Sequence, residues 1–452
     1  MIFSKRLQAI ILLLGDLFLF YASLLLMLII RYGLKIPFFA QNLQIPFNQI
    51  LDIHKWPFFS VHFLWILIFY ISGLYDIKRF PSPKAVLSKV FEIMVINTIL
   101  AALIFYLVPS FKIAPKTNLL LDAIFVMFFL MLWRRFFWIF ISGVSKIKVL
   151  FFGSSAEVED LVKYLKKNVQ MGYEPAIILS SVDRNLIEII KKHKIQLIVA
   201  SKNIMDDENA ARIFYDVLPL GVSTVDFPSF YEKTMEKIPV SVISESWFLI
   251  NLVEINKRLF ESSKRFFDIV LSIIFGILTI LLLPIIGAMV KIDSRGPVLF
   301  RQKRVGRNGE IFEFIKFRSM IHNSESKGEG WTKPKDNDKR ICFFGNILRK
   351  TRLDELPQIW NILKGEMSFI GPRPERPEFA EELQKQIPHY AMRHLIKPGL
   401  TGWSQIHFGD ASAKDAMEKL QYDLYYIKNR SFILDLAIIA RTIATVISHG
   451  GR

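Results

Sequence analysis

The chain has 452 residues, of which 52% are hydrophobic, with 40 phenylalanines and a formal net charge of +17. That length holds two or three folding units, and apolar richness combined with excess positive charge points to a membrane protein whose water-exposed parts meet anionic partners. Nucleic acid is disfavoured as the anion, because no basic helix or aromatic-basic motif of the usual nucleic-acid modules is present. The single cysteine, Cys342, leaves no partner for an internal disulfide and argues against a cysteine-built metal site.

Four stretches, about 7–30, 57–75, 87–109 and 118–140, approach the roughly 20 apolar residues that cross a bilayer. The first is too long for a cleavable signal and lacks a small-residue cleavage site. Lys5 and Arg6 precede it. Lys78, Arg79, Lys84 and Lys89 lie between the second and third, and Arg134, Arg135, Lys146 and Lys148 at or after the end of the fourth. This distribution places both ends of the block, residues 1–145, in the cytoplasm. Asp16 falls inside the first span and is expected to bond to a neighbouring helix in the bundle interior.

From 146 to about 255 the pattern becomes alternating strands and helices. Strands are expected at 147–152, 176–179 and 197–200, with helices at 156–167, 184–192 and 206–217, which is the signature of a parallel α/β sheet. A dinucleotide fingerprint beginning at Gly153 needs Gly at 155 and Gly or Ala at 158, whereas Ser155 and Val158 stand there. The second strand ends in Ser180 and Ser181 rather than an acidic ribose ligand. The expectation is a Rossmann-like domain without a cofactor.

A fifth apolar stretch, about 266–291, contains Pro284. Lys257, Arg258, Lys264 and Arg265 precede it; Lys291, Arg295, Arg301, Lys303 and Arg304 follow it. Two basic flanks want the same side of the membrane. A helix that enters, bends at the proline and returns satisfies both, since proline removes an N–H and clashes with the preceding turn.

Beyond 290 the chain is dense in groups that handle phosphate. Arg301, Lys303, Arg304 and Arg307 come first, then Lys316 and Arg318, then Asp336, Asp338 and Arg340. Arg349, Lys350 and Arg352 precede Asp354-Glu355, and Gly371-Pro372-Arg373-Pro374 closes the series. The planar arginine fork matches phosphate oxygens. Residues 353–364 read as a helix ended by Gly365, with Thr351 as N-cap and Asp354 at its third position, a capping box in form. The same place also suits chemistry. Helix N-termini favour phosphate, a carboxylate can attack phosphorus, and Mg²⁺ takes one or two carboxylates beside phosphate oxygens.

The segments KRFFD (264–268), GPVLFRQKRVGRNGEIFEFIKFRSM, FGNILRKTRLDELPQIWNILKGEMSFIGPRPERPEF, KPGLTGW and KLQYDLYYIKNRS occur in order over roughly 190 residues. Together they resemble the bacterial monotopic polyprenyl-phosphate phosphoglycosyl transferases. Residues 1–255 resemble, on fewer residues (Gly73 to Asp76, Arg134-Arg135, Trp247 to Leu249), the extension of the large members that start exopolysaccharide or O-antigen units. The resemblance implies a multidomain membrane protein: a four-helix transmembrane bundle, a Rossmann-like α/β domain and, over 256–452, an α-rich catalytic domain with a re-entrant helix. It implies transfer of a sugar phosphate from a UDP-sugar to polyprenyl phosphate at the cytoplasmic face of the inner membrane, in ping-pong fashion. Asp354 is then the nucleophile and Glu355 the Mg²⁺ ligand. Arg349 and Arg373 lead the phosphate contacts, with Arg318, Arg304 and Arg301 as further candidates. Lys264, Arg265 and Asp268 match the start of the re-entrant helix, and Asp268 is expected to tie Arg265 or the domain to it. Where the family often has Ser-Pro at the helix break, this chain has Leu283-Pro284. Anionic membrane lipids are expected partners, and a homodimer is within the family's range.

Two other readings compete. A membrane nucleotide-sugar dehydratase needs a glycine-rich dinucleotide loop and a Tyr-x-x-x-Lys pair, and the chain has neither. A non-catalytic scaffold does not require the intact Asp354-Glu355 pair. The loop from Gln405 to Asp410 is a place to look for sugar selectivity.

Overall fold

In a computed structural model the described residues are 5–33, 46–76, 80, 82–107, 116–143, 146–153, 155–182, 185–252, 257–293, 295–321, 340–408 and 415–449. Asp336, Asp338, Lys78, Arg79 and Asp410 lie outside them. The chain divides into two compact units, residues 1–226 and 227–452.

The first unit opens with four long helices, α1 (Lys5–Leu28), α2 (Phe47–Ile71), α3 (Pro83–Leu107) and α4 (Lys116–Gly143). Their inward faces are large and apolar: Phe20, Phe58, Trp65 and Phe69 are almost completely buried together. Phe20 meets Trp65 edge-on at 5.0 to 6.0 Å centroid distances that also include His62 and Phe69. By length and composition the helices able to cross a membrane are 7–32, 83–106 and 117–140, together with 258–293 in the second unit. α2, expected as the span 57–75, is not among them; it carries Asp52, His54, Lys55 and His62. Asp16 sits in the bundle interior as expected, 2.6 Å from Arg134 of α4, both side chains nearly inaccessible. His62 likewise meets Asp122 at 2.8 Å.

The rest of the unit is a parallel sheet, β1 (Ile147–Phe152), β2 (Tyr173–Leu179), β3 (Leu197–Ala200) and β4 (Ser223–Asp226), ordered β2-β1-β3-β4. The connecting helices are α5 (Ala156–Lys167), α6 (Leu186–His193), α7 (Lys202–Met205) and α8 (Glu208–Val217). β3 is wholly buried and reads as a continuous apolar run, whereas β2, at an edge, alternates in exposure. β4, Ser-Thr-Val-Asp, has too short and polar a sequence to stand out; pairing with β3 makes it a strand. Ser155 accepts a hydrogen bond from the Val158 N–H and so caps α5.

The second unit begins with α9 (Phe227–Met235) and α10 (Glu245–Asn251), followed by the 36-residue α11 (Arg258–Asp293). Then come the antiparallel hairpin β5 (Leu299–Val305) and β6 (Ile311–Phe317), α12 (Phe343–Lys350), α13 (Gln358–Lys364), β7 (Ser368–Ile370), α14 (Pro377–Gln386) and β8 (Gly399–Thr401). The unit closes with α15 (Trp403–His407), α16 (Ala416–Asn429) and α17 (Phe432–His449). Residues 227–251 therefore group with this unit and not with the preceding sheet. Glu232 binds Lys428 and Asn429, each at 2.7 Å, and the Glu236 carbonyl accepts from the Trp403 ring N–H.

The apolar stretch 266–291 is part of the longer α11, which stays helical through Pro284. Both of its ends are fastened to the same unit. At the first, Arg265 donates to the carbonyls of Ile362 and Leu363, and Asp268 accepts from Ser368 Oγ and the Phe369 N–H. Asp268 thus ties the domain to the helix, as expected, while Arg265 caps the end of α13. At the second, Asp293 accepts from the N–H groups that open α12, and Arg318 donates to the Val290 carbonyl. Between them Ile273, Ile277, Ile280 and Leu281 are more than half exposed.

Candidate active site

The pair Asp354-Glu355 does not begin an α-helix. α12 ends at Lys350, Arg352 takes the left-handed conformation with φ 59°, and Leu353–Glu355 form one 3-10 turn before Pro357 and α13. Thr351 is not an N-cap: its hydroxyl donates backward to the carbonyls of Ile347 and Leu348. The expected capping box is therefore absent. A non-glycine residue at positive φ costs on the order of 1 kcal/mol, and here it turns the chain so that Asp354 points inward while Glu355 stays nearer the surface.

Asp354 is 7% exposed. It has no hydrogen-bond or ion-pair partner among the described residues. Burial pushes its carboxyl up to about 6, and the neighbouring Glu355 adds to the rise; Lys316, Arg349 and Arg352 pull the other way. Glu355 receives Arg373 at 3.3 Å and Arg352 at 3.6 Å, both on its Oε1. Lys316, on the face of β6 that carries Phe312 and Phe314, completes the cluster. Burial lowers its ammonium pKa, Asp354 opposes that, and Arg304, Arg373 and Arg349 reinforce it. Two carboxylates thus sit among five cations.

The turn bearing Arg373 is held from three sides. Gly399 approaches Gly371 so closely that a Cβ on Gly399 would lie 2.0 Å from the Gly371 nitrogen, so only glycine fits. Arg304 donates to the Pro374 carbonyl at 3.0 Å. Arg393, 3% exposed, donates to the Arg373 carbonyl at 3.1 Å and pairs with Asp423 at 2.8 Å. Asp423 in turn accepts from Ser404 Oγ. The Arg393 guanidinium keeps its charge despite burial because Tyr390, Asp423 and Glu375 surround it and raise its pKa.

Of the residues singled out in the sequence, Asp354, Glu355, Arg349, Arg373 and Arg304 come together. Arg318 and Arg301 do not join them. Arg318 is buried and donates to the carbonyls of Val290 and Arg295, fixing the end of α11. Arg301 alternates to the opposite face of β5 and pairs in solvent with Glu313. Lys264 binds Asp435 at 2.7 Å and holds α11 against α17. Lys316 was visible only as one cation in a basic run; strand alternation from Arg318 could have marked it as facing Arg304. Arg393 and Asp423 gave no local signal. Among the described residues no group of three or more His, Cys, Asp or Glu side chains is placed to hold a metal. Two adjacent carboxylates suffice for Mg²⁺ when phosphate oxygens fill the remaining positions, so the donor set fits that ion.

Residues 259–449 match the family described as bacterial sugar transferase. Over 41% of its length the chain is 38% identical to the exopolysaccharide production protein PSS of Rhizobium leguminosarum bv. phaseoli, covering 96% of that protein. The chain belongs to the bacterial sugar transferase family. It is also 43% identical, over 42% of its length, to a UDP-N-acetylgalactosamine-undecaprenyl-phosphate N-acetylgalactosaminephosphotransferase of Aeromonas hydrophila, of which 44% is covered. It is 28% identical over 68% of its length to an undecaprenyl-phosphate galactose phosphotransferase of Salmonella typhimurium, covering 70% of that protein. The matched part spans about half the length or less of the first few sugar transferase relatives, 44%, 40% and 56% of each. All the residues gathered around Asp354 fall inside the sugar transferase match.

Proposed function

We propose that this protein transfers a sugar phosphate from a UDP-sugar to undecaprenyl phosphate, releasing UMP. The observation that carries the reading is Asp354, a buried carboxylate with no partner among the described residues, surrounded by the cations a diphosphate needs. An unpartnered carboxylate is a better nucleophile than one held in a salt bridge, and its raised pKa still leaves it mostly ionised at pH 7. The names of the relatives supply the substrate class.

In the first step an Asp354 carboxylate oxygen bonds to the β-phosphorus of the UDP-sugar. The bond from that phosphorus to the bridging oxygen breaks, and UMP leaves with the electron pair. In the second step an oxygen of undecaprenyl phosphate attacks the same phosphorus, the bond to Asp354 breaks, and the carboxylate is restored. Arg349, Arg373, Arg304 and Lys316 supply positive charge where it builds on the phosphoryl oxygens. Glu355, whose Oε1 is taken by the two arginines, would hold Mg²⁺ with its other oxygen. A bound Mg²⁺ would draw charge from the diphosphate and ease departure of UMP.

The membrane placement belongs to the same reading. Each buried apolar side chain gains about 1.5–3 kcal/mol over one left in water, so the exposed row on α11 argues for lipid around it. α11 would run about 54 Å if straight, yet both of its ends are fastened to one unit. We infer that it enters one leaflet and returns, with the catalytic unit on the cytoplasmic face of the inner membrane, where the basic flanks belong. This also suits the first step of an exopolysaccharide or O-antigen pathway.

The test is to supply a UDP-sugar labelled in its β-phosphate without the lipid acceptor. The protein should release one equivalent of UMP and retain one labelled phosphosugar; Asp354→Asn should do neither. UMP release with no label on the chain would rule out the covalent route, and turnover untouched by a chelator would rule out Mg²⁺.

A further inference from the structure

At the root of α11, separate from the Asp354 cluster, lies a half-open cavity of about 20 Å³ lined by Glu261, Lys264, Arg265, Asp268, Lys397 and Arg430 among others. Lys264 pairs with Asp435 and Arg430 with Glu261 at 3.1 Å. Asp268 accepts from Ser368 and the Phe369 N–H, and its charge also acts on Arg265 and Lys397. Two cations therefore face one carboxylate. Arg265 donates to the neutral carbonyls of Ile362 and Leu363. Lys397 has no hydrogen-bond or ion-pair partner among the described residues.

The two converge. A Cβ placed on Gly365 would lie 3.4 Å from Arg265 Nη2 and 3.4 Å from Lys397 Nζ. Gly365 itself is at φ 91°, where its missing side chain leaves that spot open. Burial lowers the Lys397 pKa and the facing Arg265 lowers it further, against the opposing charges of Asp268 and Glu261; a bound anion would add to that opposition. The cavity has room for little more than a single oxygen atom, so a larger anion seats one oxygen inside and keeps the rest at the mouth. On the same turns of α11, Leu259, Phe266 and Phe267 are 85%, 64% and 52% exposed.

We propose that this cavity binds one phosphate group, with Arg265 and Lys397 as its donors, and that the phosphate is the headgroup of an anionic phospholipid beside α11. A cationic pair at the foot of a helix whose exposed row is apolar matches a headgroup with its acyl chains better than a free ion. The inference rests on α11 lying in the membrane, and the experiment separates the two.

The full chain carrying Cys342→Ser and Ile280→Cys, labelled with a fluorophore at 280, is reconstituted in phosphatidylcholine vesicles with or without phosphatidylglycerol. Quenching of the label by brominated lipid reports α11; loss of that quenching overturns the membrane reading itself. On the full chain in detergent, amine labelling of Lys397 is followed by mass spectrometry against short-chain phosphatidylglycerol and, separately, inorganic phosphate. Phosphatidylglycerol should slow labelling about tenfold at saturation, while exposed Lys385 is unaffected. Lys397→Gln should weaken retention of phosphatidylglycerol about fivefold and Lys397→Arg should keep it. Protection by phosphate but not by the lipid overturns the lipid source. Protection by neither, with 280 still quenched, overturns the site.

Discussion

Each unit buries an aspartate, and they are treated in opposite ways. In the helical bundle Asp16 is matched by Arg134 at 2.6 Å, and both are nearly inaccessible. In the transferase unit Asp354 is almost as buried but has no partner within hydrogen-bond reach among the described residues, and burial raises its pKa to about 6. A matched charge serves packing, because removing one partner strands the other. An unmatched charge is stability given up at a place where a reacting group needs it. None of the five cations around the Asp354-Glu355 pair makes an ion pair with Asp354 among the described residues.

The largest expected effect comes from Asp354→Asn. Transfer should fall by at least about a thousandfold, yet the protein should become more stable. With its folded pKa above the unfolded value, the group's contribution to stability is complete below about pH 4 and is lost as pH rises through about 6. At neutral pH the buried carboxylate therefore costs on the order of 2 kcal/mol, which the amide recovers. Urea unfolding at pH 7.5 checks this, and a destabilised Asn variant would break the contrast. Next is Arg134→Met, expected to cost about 3–5 kcal/mol by stranding Asp16, with most of it regained in the Asp16→Leu, Arg134→Met double variant. Unfolding in detergent micelles that found the single variant neutral would show that the pair is not structural.

Arg393→Lys keeps the charge but loses the planar contacts to Asp423 and the Arg373 carbonyl. Turnover should fall roughly 10- to 100-fold through misplacement of Arg373, with the UDP-sugar KM rising; unchanged steady-state constants would remove Arg393 from the positioning chain. The smallest effect concerns pH. Transfer should decline as pH falls through about 6, tenfold per unit at the acid extreme, as Asp354 takes up its proton. Lys316→Met removes a cation that holds that value down, so the acid limb should move up by about one unit. A limb that stayed in place would mean that Lys316 does not act on Asp354.

Much of this was legible in the residues. Hydropathy located the long helices, the α/β alternation located three of four strands, and the ordered motifs located Asp354 and Glu355. What was hidden has common causes. Thr351 followed by Asp354 obeys the capping pattern, and only the positive φ of Arg352, unusual for a non-glycine residue, turns the segment into a 3-10 turn. Arg301 and Arg318 look like Arg304 and Lys316 in sequence, and strand alternation together with the carbonyls at the end of α11 sorts them. Arg393 and Asp423 are 30 residues apart and meet only in the folded core. Asp16 shows the reverse: an ionisable residue in an apolar span predicts an interior partner, and Arg134 provides it.

The fastening of residues 227–251 to the transferase unit bears on how such proteins are assembled. Phe248 lies 4.7 Å from the ring of His389, next to the Tyr390 that bonds Arg393. The segment upstream of the family match is thus joined to the residues that steady Arg373. A recombination event, natural or engineered, that exchanged whatever precedes residue 226 would carry this collar along intact. One that cut at 255 would leave Trp403, Lys428 and His389 facing water. The seam along which this chain can acquire new neighbours lies some thirty residues ahead of where the family match begins.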